Sequence, residues 1–388
     1  MNILFIDWPC FGRDDVLDFF ITNHHHVTNF SHPDLDLRKS PTFLSEMDQV
    51  IESQTFDLCF SYNYFPLVAQ ACYSHGLKYI SLVYDSPQVK LYSYTVTYPT
   101  NYIFVFDSII VEQFRKEGIN TFYYMPLPVN ADKIDHLLAQ EANTAQFQSE
   151  VSFVGSLYNE EHNLYDRLPS LSPYTKGYLE GLLQAQSKVY GYNFLEDTLT
   201  PSILEEVQSA IQYQKNPDGV ETLSYIFSDY FLCRKLTSME RMEYLNLISQ
   251  YFPLKIYTHN PNTMIGKAQN MGSADYTTEM PYIFHNSKIN LNITLRSIKN
   301  GIPLRCLDIM KCGGFLLTNY QFDFLRHFTP NEDFVYFDGK EDLINKIDYF
   351  LTHEDERISI AKSGYEKVKQ NHNYSCTFQQ IFKIVFSK

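Results

Sequence analysis

The sequence predicts an α/β protein of two parallel-sheet halves, the second carrying a helical insertion. Short β-rich runs alternate with helical stretches over the first ~130 residues, the signature of parallel strands joined by crossover helices. The alternation resumes after Pro126, Pro128 and the polar stretch Ala139–Glu150, which reads as a linker. The chain has 388 residues, and chains beyond about 250–300 residues usually divide into more than one core.

In the first half, Ile3–Ile6 reads as a strand, followed by a turn at Pro9–Gly12 and a helix near Asp14–Ile21. His25–Phe30 is a second strand, Leu44–Ser53 a helix and Phe56–Tyr62 a third strand. Leu67–His75 is helical with Gly76 as its stop, and Lys78–Tyr84 is a fourth strand. Tyr102–Phe106, a helix over Ser108–Gly118 and a strand at Thr121–Met125 complete it. Tyr79–Tyr84 and Tyr102–Phe106 are near-continuous apolar runs, as strands covered on both faces should be. The second half opens with a strand at Val151–Val154 meeting Gly155-Ser156. A helical region spans about 173–251, interrupted near Pro201 and Pro217. Strands resume at Leu254–Thr258, Ile289–Ile293, Phe315–Thr318 and Phe334–Phe337. Helices follow at Lys340–Leu351, Asp355–Gln370 and Cys376–Phe386. The expected domains are 1–135, 150–375 and a terminal helix over 376–388.

Composition narrows the function. The net charge of −14, from 31 basic and 45 acidic residues, opposes binding to nucleic acid, which requires a positive footprint. No apolar run reaches the ~18–20 residues of a membrane-spanning helix. The seven cysteines are scattered without a CxxC pair, against both a zinc site and a disulfide framework. The N-terminus lacks the basic opening of a signal peptide, so the chain reads as cytoplasmic. His24-His25-His26 alternate faces in a strand and chelate poorly as a trio; no metal ligands are expected.

Ligands of open α/β sheets bind outside the carboxyl ends of the strands. The informative residues are therefore Asp7 to Gly12, Asn63, Asp85-Ser86-Pro87 and Asp107 in the first half. In the second they are Gly155-Ser156, His259-Asn260, Thr294 to Arg305 and Thr318-Asn319. Neither GxGxxG after the first strand nor GxxxxGK[ST] is present. The segment Asn290–Asn319 is the most specific. Its loop carries Arg296, Lys299 and Arg305 in an otherwise acidic protein, ahead of a short helix, Pro303 to Lys311, with Asp308 within it. A helix N-terminus behind a basic loop is an anion site, and Asp308 reads equally as a ribose partner or as the i+3 partner of Arg305. Gly301, Gly313 and Gly314 read equally as turn formers. Asp85 is a general-base candidate or an Asx-turn cap; Asp7 and Asp107 are weaker versions of it. His259 reads as a base or phosphate contact, or as a surface loop residue.

Asn290–Asn319 resembles the signature of family-4 GT-B glycosyltransferases, with Asp308 at the position of the second Glu and Asn300 where the first Glu stands. More closely, the chain resembles the CgeB-like (spore maturation protein) glycosyltransferases. The resemblance lies in LVYDSP (Leu82–Pro87), NYIFVFD (Asn101–Asp107), YYMPLPVN (Tyr123–Asn130), VSFVGSLYNE (Val151–Glu160), GIPLRCLDIMKCGGFLLTN (Gly301–Asn319) and the tail Glu354–His372. It implies a GT-B fold of two Rossmann-like domains facing across a cleft, with the terminal helix 376–388 crossing back to the N-terminal domain, and a hexosyltransferase-type enzyme. The implied donor is a nucleotide-diphosphate-sugar of UDP type; the acceptor is a protein or glycan, and no metal or further cofactor takes part. Asp308 would meet the ribose, while Arg296, Lys299 and Arg305 would meet the diphosphate, with Gly155, Ser156, His259, Gly313 and Gly314 lining the donor site. Asp85 would be catalytic, as general base on an acceptor hydroxyl if the enzyme inverts and as a substrate-orienting group if it retains. Asn300 leaves the sugar open. A GT-B epimerase and an idle GT-B scaffold that binds a glycan or partner are the alternative readings.

Overall fold

The computed structural model describes residues 1–140, 144–159, 163–169 and 171–387. The chain forms two compact units: Met1–Pro128, Gln214–Thr222 and His372–Lys388 make unit 1, and Val129–Tyr213 with Leu223–Asn371 make unit 2.

Unit 1 is built on six parallel strands, β1 (Asn2–Ile6), β2 (His26–Phe30), β3 (Leu58–Tyr62), β4 (Tyr79–Val83), β5 (Asn101–Val105) and β6 (Phe122–Tyr124). They lie in the order β2-β1-β3-β4-β5-β6. Central β3 and β4, LCFSY and YISLV, are buried at every position, as parallel strands covered on both faces must be. The edge strand β2 is more polar, HVTNF, and only its last residue is buried. Helix Pro41–Ser53 begins where Ser40 Oγ accepts from the Phe43 amide and proline takes the first turn, where its missing N–H costs nothing. The terminal helix Tyr374–Phe386 belongs to this unit; its Phe378 packs against Phe19, Phe20 and Phe60.

Residues 214–222 also belong here, although the sequence reading places the whole stretch 173–251 with the second half. The Tyr94 amide donates to the Asp218 carbonyl and the Val220 amide to the Tyr92 carbonyl, while Arg38 Nη1 lies 3.0 Å from Asp218 Oδ2. A polar turn carries no periodicity that says which sheet it docks on.

Unit 2 has its own six parallel strands, β7 (Ser149–Val154), β8 (Leu254–Tyr257), β9 (Gln269–Asn270), β10 (Ser287–Asn292), β11 (Leu316–Asn319) and β12 (Val335–Phe337). Their order is β12-β11-β10-β7-β8-β9. Val151, Ile256, Ile289, Leu291 and Leu317 form the centre of its core. The insertion packs a separate core, in which Leu179, Leu183, Ile203, Val207, Phe227 and Leu236 meet. Its last part runs through a π-helical stretch, Phe227–Leu232, into the long helix Cys233–Tyr251. Helices Ala131–Leu138 and Met280–Asn286 and the two-residue β9 are structural findings that the sequence pattern does not announce.

In each sheet the strand order reverses once, between β1 and β3 in unit 1 and between β7 and β10 in unit 2. The loops leaving those strands diverge to opposite faces and open a crevice at the carboxyl edge. All the strand-end candidates of the sequence analysis lie on these two edges.

Helix Glu354–Asn371 runs close to the turn before β12. A Cβ on Gly364 would stand 2.3 Å from the Asp333 carbonyl oxygen and 2.8 Å from Met310 Cε. Gly364→Ala is therefore expected to lower stability by about 1–3 kcal/mol. Gly177→Ala, on an exposed helix face where the methyl meets nothing within 4 Å, should raise it by about 0.5–1 kcal/mol. Urea unfolding followed by far-ultraviolet circular dichroism checks both; equal effects would show that the backbone contact at Gly364 does not constrain the fold.

Candidate functional site

At the switch point of unit 2, two adjacent residues of helix Cys233–Tyr251 hold the two loops of the crevice. Arg241 donates through Nε and Nη2 to the Ile293 carbonyl, at the end of β10, and through Nη1 to the Ser156 carbonyl, after β7. Its guanidinium carbon lies 4.9 Å from the Tyr158 ring centroid. Glu240 takes Arg296 of the β10 loop in a buried, forked pair, with Nε at 2.9 Å from Oε2 and Nη2 at 2.5 Å from Oε1. Arg296 Nη1 donates to the Val189 carbonyl at 3.0 Å, and the guanidinium stacks 4.0 Å over Tyr190. Burial pushes the Glu240 carboxyl above its ordinary value even though Arg296 pulls it down. Burial acts to lower Arg296, but the attraction of Glu240 outweighs it and holds Arg296 above its usual value.

This arrangement changes the part Arg296 plays. The sequence reading offers it as a diphosphate cation, yet its charge is balanced by Glu240 and its side chain is only 9% exposed. It fixes the loop. Lys299 and Arg305 remain the more accessible cations, with side-chain exposures of 19% and 26%. Lys299 lies 3.9 Å from Glu196 of the insertion. It helps line an open recess with Tyr192, Asn193, Thr294, Asn319 and Gln321. Arg305 opens helix Leu304–Lys311, donates to Met280 Sδ and lies over the Phe284 ring. Pro303, at the N-cap of that helix, supplies no side-chain cap to its first amides.

Asp308 lies buried one turn in. It accepts from Tyr276 Oη at 2.9 Å and meets Lys311 Nζ at 2.7 Å; the Arg305 contact anticipated at i−3 is longer, 3.8 Å. Burial, and then the Asp308 charge, push the Tyr276 hydroxyl up. Burial acts to lower Lys311, but Asp308 more than offsets it and holds the ammonium charged. Gly313 and Gly314 lie elsewhere. They end the helix, Gly313 at φ +70°, just before β11 starts, hence at the amino edge of the sheet. A Cβ on Gly314 would meet the Phe284 carbonyl at 2.7 Å. Their glycine character comes from that turn, not from approach to a ligand at the carboxyl edge.

Gly155 and exposed His259 stand on the carboxyl edge, after β7 and β8. Next to His259, Thr258 Oγ1 and Tyr257 Oη are buried without a hydrogen-bond partner among the described residues, as is Ser297 Oγ. Burial, with Glu279 adding, pushes the Tyr257 hydroxyl up to about 12. Buried hydroxyls ordinarily have partners, so this edge has unused polar capacity. Among the described residues no group of three or more His, Cys, Asp or Glu is placed to hold a metal ion, and no helix is long and apolar enough to cross a membrane.

On the edge of unit 1, Asp85 follows β4 and Asn63 follows β3. Asn63 Nδ2 donates to Asp85 Oδ2 at 2.7 Å, and Asn63 Oδ1 accepts from the Tyr84 and Asp85 amides. Asp85 is open to solvent yet set among protein atoms, and the resulting desolvation raises its carboxyl while Asn63 and Lys90 pull it down. Trp8, from the loop after β1, lies parallel to Tyr84 with centroids 6.2 Å apart. The weaker candidates have structural duties: Asp7 pairs with Arg13, and Asp107 caps helix Ser108–Lys116 through the Ile109 amide.

A family model described as glycosyl transferase-like matches residues 231–383. That span holds Glu240, Arg241, β8, the basic loop and the helix bearing Asp308. Three solved structures are similar over their full length or nearly so. A glycosyltransferase from Rickettsia africae has 12% identity and TM-score 0.55, covering 100% of this chain and 98% of that one. Anabaena HepE in complex with UDP-glucose has 11% identity and TM-score 0.54, with both chains fully covered. Sucrose-phosphate synthase from Thermosynechococcus elongatus has 10% identity and TM-score 0.53, covering 100% and 99%. The architecture is GT-B. Comparison with curated protein sequences gives no match.

Breaking a buried ion pair by removing one partner leaves an uncompensated charge and costs about 3–5 kcal/mol. Arg296→Met in this GT-B chain is expected to lose that much at neutral pH. Without Arg296 the Glu240 carboxyl rises further, so protonation relieves the buried charge as pH falls. The loss should accordingly be smaller at pH 5 than at pH 8. Urea midpoints at the two pH values, with Glu240→Leu/Arg296→Met as the paired control, measure it. A loss independent of pH would mean that Glu240 is not the charge left behind.

Proposed function

We propose that the protein transfers a sugar from a nucleoside-diphosphate donor to a hydroxyl of a protein or glycan acceptor. The observation that carries this reading is the glycosyl transferase-like match over residues 231–383, which includes the β10 loop and helix Leu304–Lys311 of unit 2. Solved structures of the same fold include HepE with UDP and with UDP-glucose, and a UDP-type donor is proposed here. The alternatives of a GT-B epimerase or an idle scaffold do not need Asp85 as a base.

In this reading unit 2 holds the donor. The diphosphate meets Lys299, Arg305 and the uncapped amides at the start of helix Leu304–Lys311, where the helix dipole favours negative charge. Asp308 accepts from the ribose hydroxyls, displacing its contact with Tyr276. As the bond from the anomeric carbon to the diphosphate oxygen lengthens, charge grows on the leaving group. Groups already fixed in place stabilise it without reorganising. The β10 loop must hold its position for this, and Glu240 and Arg241 provide that.

Where the transfer inverts, Asp85 of unit 1 takes the acceptor proton; where it retains, Asp85 orients the substrate. The acceptor oxygen forms the new bond to the anomeric carbon, and the nucleoside diphosphate leaves with the old bonding pair. A carboxyl raised by desolvation is a better base than an ordinary Asp. The reading needs no metal.

Thermal unfolding against nucleoside diphosphates and nucleotide-sugars tests the donor site. A ligand at 100 times its dissociation constant adds about 2.7 kcal/mol, worth a few degrees for domains of this size. UDP should raise the midpoint of the wild type and of Asp85→Asn, but not of Arg305→Ala or Asp308→Ala. Asp85→Asn should lose transfer by about 100-fold or more, the scale of a general base, and EDTA should leave turnover unchanged. A full UDP shift in both unit 2 variants would overturn the site assignment.

A further inference from the structure

The crevice of unit 1 contains a residue whose geometry goes beyond what chain-turning demands. Asn63 is 4% exposed and adopts φ +59°, a left-handed conformation rare outside glycine, though Asn tolerates it better than most. Its backbone is satisfied on both sides: its amide donates to the Leu82 carbonyl and its carbonyl accepts from Ser61 Oγ. With the main chain so fixed, the side chain crosses from the end of β3 to the end of β4. Its carboxamide oxygen takes both backbone amides at residues 84 and 85, so its nitrogen can only face the Asp85 carboxylate. The orientation of the amide is thus set by the partners rather than chosen freely.

We propose that Asn63 is a positioning residue: it fixes the Asp85 carboxylate at the switch-point crevice and holds it in the ionised form needed to accept a proton. This deepens the proposed function, because it rests on Asp85 being the base. A hydrogen bond to the charged form of an acid favours that form, so Asn63 works against the desolvation around Asp85. Other groups face the same carboxylate. Lys90 attracts it from the turn after β4 and is itself held by Asp36. Tyr84 and Cys10 are neutral, both raised by burial. None of these fixes a particular oxygen of Asp85 as the Asn63 amide does.

The left-handed backbone supplies a clean test. Asn63→Gly keeps φ +59° at no steric cost and removes only the carboxamide. In the full-length protein labelled with ¹³C at Asp carboxyl carbons, the Asp85 signal is assigned by its absence from Asp85→Asn. Its titration midpoint is expected to rise by about one pH unit in Asn63→Gly. The acid limb of the rate of UDP release from UDP-glucose should move upward with it, with KM for UDP-glucose unchanged. Asn63→Asp, which also tolerates this backbone, should raise the midpoint by like-charge repulsion and serves if the glycine variant does not fold. An unchanged Asp85 midpoint in both variants overturns the proposal. A raised midpoint with an unmoved rate limb keeps the hold of Asn63 on Asp85 but removes Asp85 as the base. The titration needs no substrate, so the two failures are distinguishable.

Discussion

The second unit depends on a charged couple buried where charge is expensive. Removing Glu240 and Arg296 from water costs several kcal/mol per ion, and only a forked geometry with every remaining group satisfied offsets it. The fork is present, and the Val189 carbonyl and Tyr190 ring occupy what is left of the guanidinium. A short loop between β10 and the next helix would otherwise be free to choose among conformations. Tied to the helix on which Glu240 stands, it has one. Arg241, next in sequence, ties the ends of β7 and β10 to the same helix. One element therefore sets the geometry of the whole switch-point edge.

The division of labour among the basic residues follows from this. Three cations within ten residues look alike in a sequence, but their surroundings differ. Arg296 is neutralised and structural, whereas Lys299 and Arg305 sit at more open positions beside a helix start. A positive charge that a loop needs for its own shape is not available to an incoming phosphate. The network of Tyr276, Asp308 and Lys311 makes a similar point, because a buried acid with two partners is already organised before any ribose arrives.

Unit 1 solves a different problem. The carboxylate of interest on its edge is raised by its surroundings. A fixed dipole and a charge adjust it: an amide from a neighbouring strand end and an ammonium from the following turn. The parallel stacking of Trp8 on Tyr84 places apolar ring surface on the same edge.

The sequence by itself determined the class and order of most elements. Apolar runs such as LVY and FVF in a chain of alternating elements leave few alternatives to a buried parallel strand, and all six strands of unit 1 form where expected. It also determined which residues stand at strand ends, because parallel strands send every such residue to one edge. Elements without periodicity escaped: helix Met280–Asn286, β9, and residues 214–222, whose polar turn joins unit 1 through contacts with Arg38, Tyr92 and Tyr94. Only the tertiary structure decided which cation is neutralised, that Gly313 and Gly314 lie at the far edge, and that Asn63 reaches Asp85. Each of these is a matter of partners supplied from distant sequence, Glu240 for Arg296 and β3 for β4. Charge balance and hydrogen-bond satisfaction are properties of such neighbours, and no local pattern encodes them.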